Sequence, residues 1–274
     1  MDKKSALLEV KNISKVFSKG TVDEVTALED VSLKIQAEDY ITIIGSNGAG
    51  KTTLLNIIAG LFPPEQGKVL INGEDVTCLP EHIRAKYFGR VHQDPNVGTG
   101  GNLTIEENLA FALLRGRQRG LKAAINGKRK HLFGSALAPL GLGLESRLDA
   151  LVGTLSSGQR QSIALTMATI SNPSVLLLDE HVANLDPRTA QIVFDLTEMI
   201  VQREKLTTMM ITHDMECALK YGNRLIMMHR GKIIVDLEQE EKQKLTINDL
   251  INLFEQAAGE KLADEKILLS QPKR

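Results

Sequence analysis

Cysteine is scarce: the 274-residue chain has two, Cys78 and Cys217, far apart in sequence. That argues against a disulfide framework or a cysteine-ligated metal site and points to a reducing compartment. Net charge is nearly lacking as well, at −1 with 33 basic against 34 acidic side chains. Without an overall positive field the chain has no general attraction for nucleic acid or an acidic membrane, so no nucleic-acid partner is expected. Long apolar runs are missing too. No stretch approaches the roughly 20 apolar residues that span a bilayer. The opening "MDKKSALLEVKNISKVF" has no apolar run of signal-peptide length. The expectation is a soluble, cytoplasmic chain that serves a membrane, if at all, from its surface. There is no internal repeat, low-complexity linker or long heptad array. What remains is an ordinary globular composition, 42% apolar and 24% charged, with enough sequence for one large or two small domains.

The pattern along the chain alternates strands with helices. "LLEVKNISKVF" and "ALEDVSLKI" read as strands, and "DYITIIG" as an apolar strand ending on glycine. "KTTLLNIIAG" reads as a helix closed by Gly60. "GKVLINGEDV" carries an Asn72-Gly73 turn between short strands, a hairpin signal. "YFGRVHQ", "VLLLDE" and "TTMMITH" are further strands, while "DPRTAQIVFDLTEMIVQ" is an amphipathic helix with Pro187 in its first turn. Thr104-x-x-Glu107 has the form of a capping box. The stretch between Gln93 and Asn172, mostly helical at first, reads as an insertion into an α/β sheet with a substantial parallel part. Near the end, Thr246-x-x-Asp249 caps a helix that puts Ile247, Leu250, Ile251 and Phe254 on one face, suited to docking on the chain's own core.

Chemistry gathers at strand ends. "GSNGAGKT", from Gly45 through Ser46, Asn47, Gly48, Ala49, Gly50 and Lys51 to Thr52, fits G-x-x-x-x-G-K-[ST] between a strand and a helix. Glycines let successive N–H groups turn inward, and the helix start adds partial positive charge. Lys51 would reach the β- and γ-phosphates, and Thr52 would ligate Mg2+. Asp179 and Glu180 end the apolar strand "VLLL"; the first can hold Mg2+ through water and the second can orient or deprotonate the attacking water. Gln93 and His213 also follow strands, where doubly wound sheets place ligands; each could equally be structural. "LSSGQRQ", at residues 155–161, looks like a second glycine- and serine-rich helix start capped by Ser156.

In their order and spacing these stretches resemble the ATP-binding subunit of ABC transporters, from about Leu7 to Ile234. Gly45 through Thr53 matches the Walker A loop, Gln93 the Q-loop, "LSSGQ" the signature, "VLLLDE" Walker B, "ANLD" ending at Asp186 the D-loop, and His213 the switch histidine. The resemblance implies an α/β P-loop NTPase (RecA-like) core with an antiparallel β subdomain and an inserted α-helical subdomain. The ATPase domain would span 1–235, with the core at about 1–93 and 172–235 and the helical part at about 94–171. A C-terminal helical extension would follow at 236–274. It implies ATP and Mg2+, with Thr52, Gln93 and Asp179 at the metal and Glu180, His213 and Gln93 in catalysis. Phe17 falls where the family stacks an aromatic on adenine, although core packing would account for it as well. Ser156, Ser157, Gly158, Gln159 and Asp186 would act in trans, on ATP held by a second copy. Two departures stand out. Ser157 replaces the usual first signature glycine; because Gly158 remains, activity is expected to survive. His181 and Val182 replace the frequent proline and threonine after Walker B, and His181 is open to two roles, titrating near neutral pH or packing as a neutral ring.

The resemblance also implies separate integral-membrane permease subunits, an extracytoplasmic solute-binding protein and a peripheral place on the cytoplasmic face of the membrane. The wording of "QDPNVGTGGNLTIEENLAFA" looks most like ATPases paired with branched-chain-type amino-acid permeases, some associated with aromatic amino acids. The basic stretch "RGRQRGLKAAINGKRKH" is either a solvated face or a contact for lipid headgroups and acidic permease loops. A soluble non-transport ABC ATPase and a regulatory nucleotide-binding module are the alternatives. Against them stand a single nucleotide domain and the presence of Glu180 and His213.

Overall fold

The computed structural model describes residues 6–116 and 124–259. The chain divides into two units, one built up to Arg84 and again from Thr207 onward, the other from Ala85–Leu206.

The first unit begins with β1 (Leu8–Phe17), β2 (Val25–Ile35), β3 (Tyr40–Gly45), α1 (Lys51–Ala59), β4 (Gln66–Ile71), β5 (Glu74–Asp75) and the short α2 (Glu81–Arg84). Strand β1 pairs antiparallel with β2 on one side and β4 on the other. Asn72 and Gly73 both take positive φ, 50° and 81°, and join β4 to β5 with Leu70 facing Asp75 and Ile71 facing Glu74. That is the backbone an Asn-Gly hairpin turn needs. Arg84 is buried, and its guanidinium holds the carbonyls of Ile57 and Ile58 at the last turn of α1, at 2.8 and 3.1 Å, and those of Leu79 and Thr77. A fixed cation at a helix C-terminus satisfies carbonyls that the helix leaves over.

The second unit contains β6 (Phe88–Val91), α3 (Pro95–Gly98), α4 (Ile105–Leu113), α5 (Gly127–Leu137), α6 (Ser157–Thr169), β7 (Val175–Asp179) and α7 (Pro187–Glu204). Strands β6 and β7 pair in parallel, Val91 opposite Leu178. The Thr104–Glu107 capping box forms at α4. Helix α7 buries Val193, Phe194, Leu196, Ile200 and Val201 at helical spacing and leaves its other face wet. Part of the basic stretch, residues 117–123, lies outside the described residues; beyond it, Lys130 pairs with Glu106 at 2.8 Å.

The chain then returns to the first unit with β8 (Thr207–Ile211), α8 (Met215–Lys220), β9 (Arg224–His229), β10 (Lys232–Glu238), α9 (Gln239–Lys242) and α10 (Ile247–Ala258). Strand β3 lies between β8 and β9 and runs parallel to both; β10 closes antiparallel on β9. Every residue of β3 and β8 is buried, which is why neither strand shows the alternation of a half-exposed one. The Thr42 hydroxyl inside β3 donates to Ala218 O at 3.0 Å, so the strand carries a polar group without an orphaned donor. Helix α10, boxed by Thr246 and Asp249, packs Leu250 and Phe254 against Ile44, Met215, Ala218, Leu225 and Met227. The buried Lys242 ammonium donates to Tyr221 O and to Gly222 O, the latter at 3.0 Å.

Among the described residues, no helix is long and apolar enough to cross a membrane.

Candidate functional site

In the first unit, the phosphate-type loop leaves β3 at Gly45 and enters α1 at Lys51. Gly50 stands at the helix N-cap with φ 95°, and a Cβ there would lie 2.3 Å from Ala27 O. Only glycine fits both the backbone and the space. Helix α1 has no side-chain cap. Its first-turn N–H groups form the kind of donor array that holds an anion. Asn47 and Gly48 are exposed at the loop tip, Ala49 is buried and Ser46 is half-buried. The buried Lys51 ammonium donates to Gly45 O at 2.8 Å and Ser46 O at 3.1 Å. It is thereby held against its own loop. Thr52 is exposed and Thr53 half-buried.

Two more expected residues belong to this unit. In the β3–β8 register Ile43 faces Ile211, and Thr212 N–H donates to Ile43 O at 3.1 Å. Gly45 and His213 therefore leave the sheet at the same edge, each two residues past that pair. Asp214 follows His213 and caps α8 by accepting from Cys217 N–H. Phe17 is half-buried at the end of β1, edge-on to Phe62 with centroids 5.5 Å apart, and the Lys15 ammonium lies 5.3 Å from its ring. Packing contacts thus already occupy part of that ring.

In the second unit, Gln93 and Glu180 likewise emerge two residues past the facing pair Val91 and Leu178. Gln93 is exposed, and its carbonyl accepts from the Asn184 amide at 3.4 Å, which brings the stretch after β6 to the "ANLD" turn. Asp179 is buried, with its carboxylate 3.2 Å from the Arg90 guanidinium. Glu180 adopts φ 49°, a left-handed backbone that costs a non-glycine residue energy. His181 is fully enclosed, bonded to the Thr197 hydroxyl at 3.1 Å and edge-on to Phe194. Burial pulls its pKa down to about 4. Of the two roles open to it on sequence grounds, the enclosed ring and its lowered pKa fit neutral packing.

The second helix start is built differently. Ser156 and Ser157 are exposed, and Ser156 closes a capping box: its hydroxyl accepts from Gln159 N–H at 3.3 Å while Gln159 Oε1 accepts from Ser156 N–H at 3.2 Å. Gly158 is buried, and a Cβ there would fall 2.3 Å from the Thr189 methyl. Asp186 caps α7 through Thr189 N–H at 3.1 Å, and the Thr189 hydroxyl and N–H hold its pKa below the usual carboxylate value. Thr189 thus touches both the signature stretch and the "ANLD" turn. Sequence reading missed Thr189 and Arg90; neither has a local signal, because each acts across elements.

The ABC transporter family model matches residues 28–183, more than half of the chain. The chain belongs to the ABC transporter family. It is the ATPase subunit, hydrolysing ATP to drive transport. A tyrosine transport ATP-binding protein of Clostridioides difficile is 42% identical over 251 residues, covering 92% of this chain and 100% of that one. A methionine import ATP-binding protein, MetN 2 of Enterococcus faecalis, is 33% identical across 96% of this chain and 74% of its own length. Among solved structures, the dimeric post-hydrolysis state of the ATP-binding cassette MJ0796 bound to ADP and Pi aligns with TM-score 0.73. The identity is 28%, over 85% of this chain and 98% of that one. The ABC cassette architecture, an antiparallel β subdomain with a P-loop-type parallel sheet, is the one the sequence led us to expect.

Proposed function

We propose that two copies of this subunit close around two ATP molecules and drive the import of an amino acid through a separate permease. The observation that carries this reading is the pair of helix starts: an uncapped one behind Lys51 and an exposed, serine-lined one at Ser156. The loop from Gly45 to Thr53 binds the phosphates, with Lys51 as the compact charge on the β- and γ-oxygens. Phe17 stacks on adenine. Ser156, Ser157, Gly158, Gln159 and Asp186 meet the ATP of the other copy. Glu180 takes a proton from the attacking water, and His213 hydrogen-bonds the γ-phosphate. Thr52, Asp179 and Gln93 would supply protein oxygens to Mg2+, alongside phosphate and water. When bound, Mg2+ offsets the charge on the phosphate oxygens.

The transported molecule is read by the permease and an extracytoplasmic solute-binding protein, with this subunit peripheral on the cytoplasmic face. The tyrosine relative supports an aromatic amino acid as cargo. Reconstitution with the permease tests it: tyrosine-loaded binding protein should raise ATP turnover, and stimulation by leucine alone would reassign the cargo. Glu180→Gln should bind ATP, dimerise and hydrolyse roughly 10²- to 10⁴-fold more slowly. Wild-type turnover in that variant would move the base elsewhere. Ser156→Arg and Lys51→Ala chains, each inactive alone, should recover ATP-dependent association on mixing, because one mixed site is intact. Normal hydrolysis by Ser156→Arg alone would end the trans assignment.

A further inference from the structure

The phosphate-binding loop is clasped by the turn between β9 and β10. Arg230 and Gly231 both take positive φ there, 45° and 78°, which fixes a tight two-residue turn. Three contacts run from this turn and the end of β9 to the loop. His229 Nδ1 shares a hydrogen bond with Ser46 Oγ at 3.3 Å. Gly231 N–H donates to Ala49 O at 3.1 Å. Gly45 lies so close to β9 that a Cβ would meet Met228 O at 2.0 Å. The His229 ring is in turn set edge-on against Phe254 of α10, with centroids 5.4 Å apart and planes at 83°. Phe254 is buried in the same cluster as Ile44, the residue before Gly45. Lys242 and the Thr246 box hold α10 in place. An unbroken line of contacts therefore runs from the C-terminal helix to the loop.

We propose that α10 sets nucleotide affinity through this line, with Phe254 and His229 as positioning residues that fix Ser46 and hence the loop's donor array. The proposal rests on reading the loop as the ATP receptor. If the His229 ring is lost or tilts, Ser46 can rotate and the loop N–H groups lose alignment. Binding weakens, while the hydrolytic groups, on other elements, are untouched.

The test is calorimetry with ADP and Mg2+ on the full chain, alongside ATPase kinetics and thermal unfolding. His229→Phe keeps a ring for Phe254 but loses the bond to Ser46. It should weaken ADP binding about 3- to 10-fold, the loss of one hydrogen bond, and raise KM for ATP with kcat within about twofold. His229→Asn, whose amide can occupy the Nδ1 position, should recover much of that affinity. Phe254→Ala should weaken binding in the same direction, and Phe254→Leu less so. Ser46→Ala combined with His229→Phe should be no worse than the weaker single variant. The relay is overturned if Lys51→Ala loses nucleotide while His229→Phe binds like wild type, or if only Tm changes. If Lys51→Ala itself binds like wild type, the reading of the loop falls instead.

Discussion

Helices α1 and α6 both begin in short stretches of glycine and serine, and they finish their first turns in opposite ways. The α1 start has no side-chain cap; its N-cap is a glycine in the left-handed region, and its lysine is folded onto the loop. The α6 start is closed by its own reciprocal box, Ser156 with Gln159. An uncapped start has its donors ready for a phosphate at no local cost. A boxed start is already satisfied, so an incoming phosphate must either replace the box or use the donors the box leaves over. The first arrangement suits a site that binds nucleotide alone; the second suits one that engages only when something larger closes on it.

The comparison can be broken most sharply at Lys51. Lys51→Ala should weaken ATP binding by roughly ten- to a hundredfold, the scale of a lost charge-assisted hydrogen bond. Near-wild-type affinity in calorimetry would mean that α1 needs no charge to hold phosphate. Acid should next separate the two units. In the unit carrying α6, His181 is depressed to about 4 by burial, and His92 is also lowered, by burial and by the Arg90 charge. The folded chain then binds fewer protons than the unfolded one between about 6.5 and 4, so stability falls as pH drops through that window. For His181 the loss is at most about 3 kcal/mol. Hydrogen exchange at pH 5 should show α7 losing protection relative to pH 7, and His181→Leu should flatten that dependence.

Smaller effects sharpen the α6 side. Gly158→Ala should cost about 1–3 kcal/mol by overpacking against Thr189, and adding Thr189→Ser, which removes the clashing methyl, should restore most of it. If Gly158→Ala melts like wild type yet hydrolyses poorly, that glycine serves the phosphate rather than the helix contact. Ser156→Ala should cost about 0.5–2 kcal/mol through the lost cap and leave nucleotide binding by the monomer unchanged. A monomer that binds ATP more weakly in that variant would tie α6 to its own chain's nucleotide.

Much of this was legible in the sequence because it is local. The Asn72-Gly73 hairpin, the capping boxes at Thr104 and Thr246, the buried run of β3 and the apolar face of α10 follow from turn chemistry and periodicity. The candidate site was legible through residue types at strand ends and through the spacing of the family's motifs. Contacts that depend on sheet order were not. Nothing near Arg84 or Lys242 marks them as buried cations, since each is satisfied by carbonyls that distant elements bring together. His229 lacks a motif; its link to Ser46 exists because β9 lies beside β3. Gly158 was readable as a glycine near phosphate, but the methyl that crowds it belongs to α7.

The placement of β3 between β8 and β9 also orders events during synthesis. Ser46 and His229 are 183 residues apart, so the clasp on the phosphate loop cannot form until the ribosome has made everything from β3 through β9. At about 5–20 residues per second the loop waits roughly 10 to 40 seconds for its neighbours. Closing so long a separation comes late in folding, after the local hairpin of β4 and β5. A nascent chain therefore carries the Gly45–Thr52 stretch long before it carries the β9 contacts, and an interrupted translation product ending before β9 would carry the motif without the clasp.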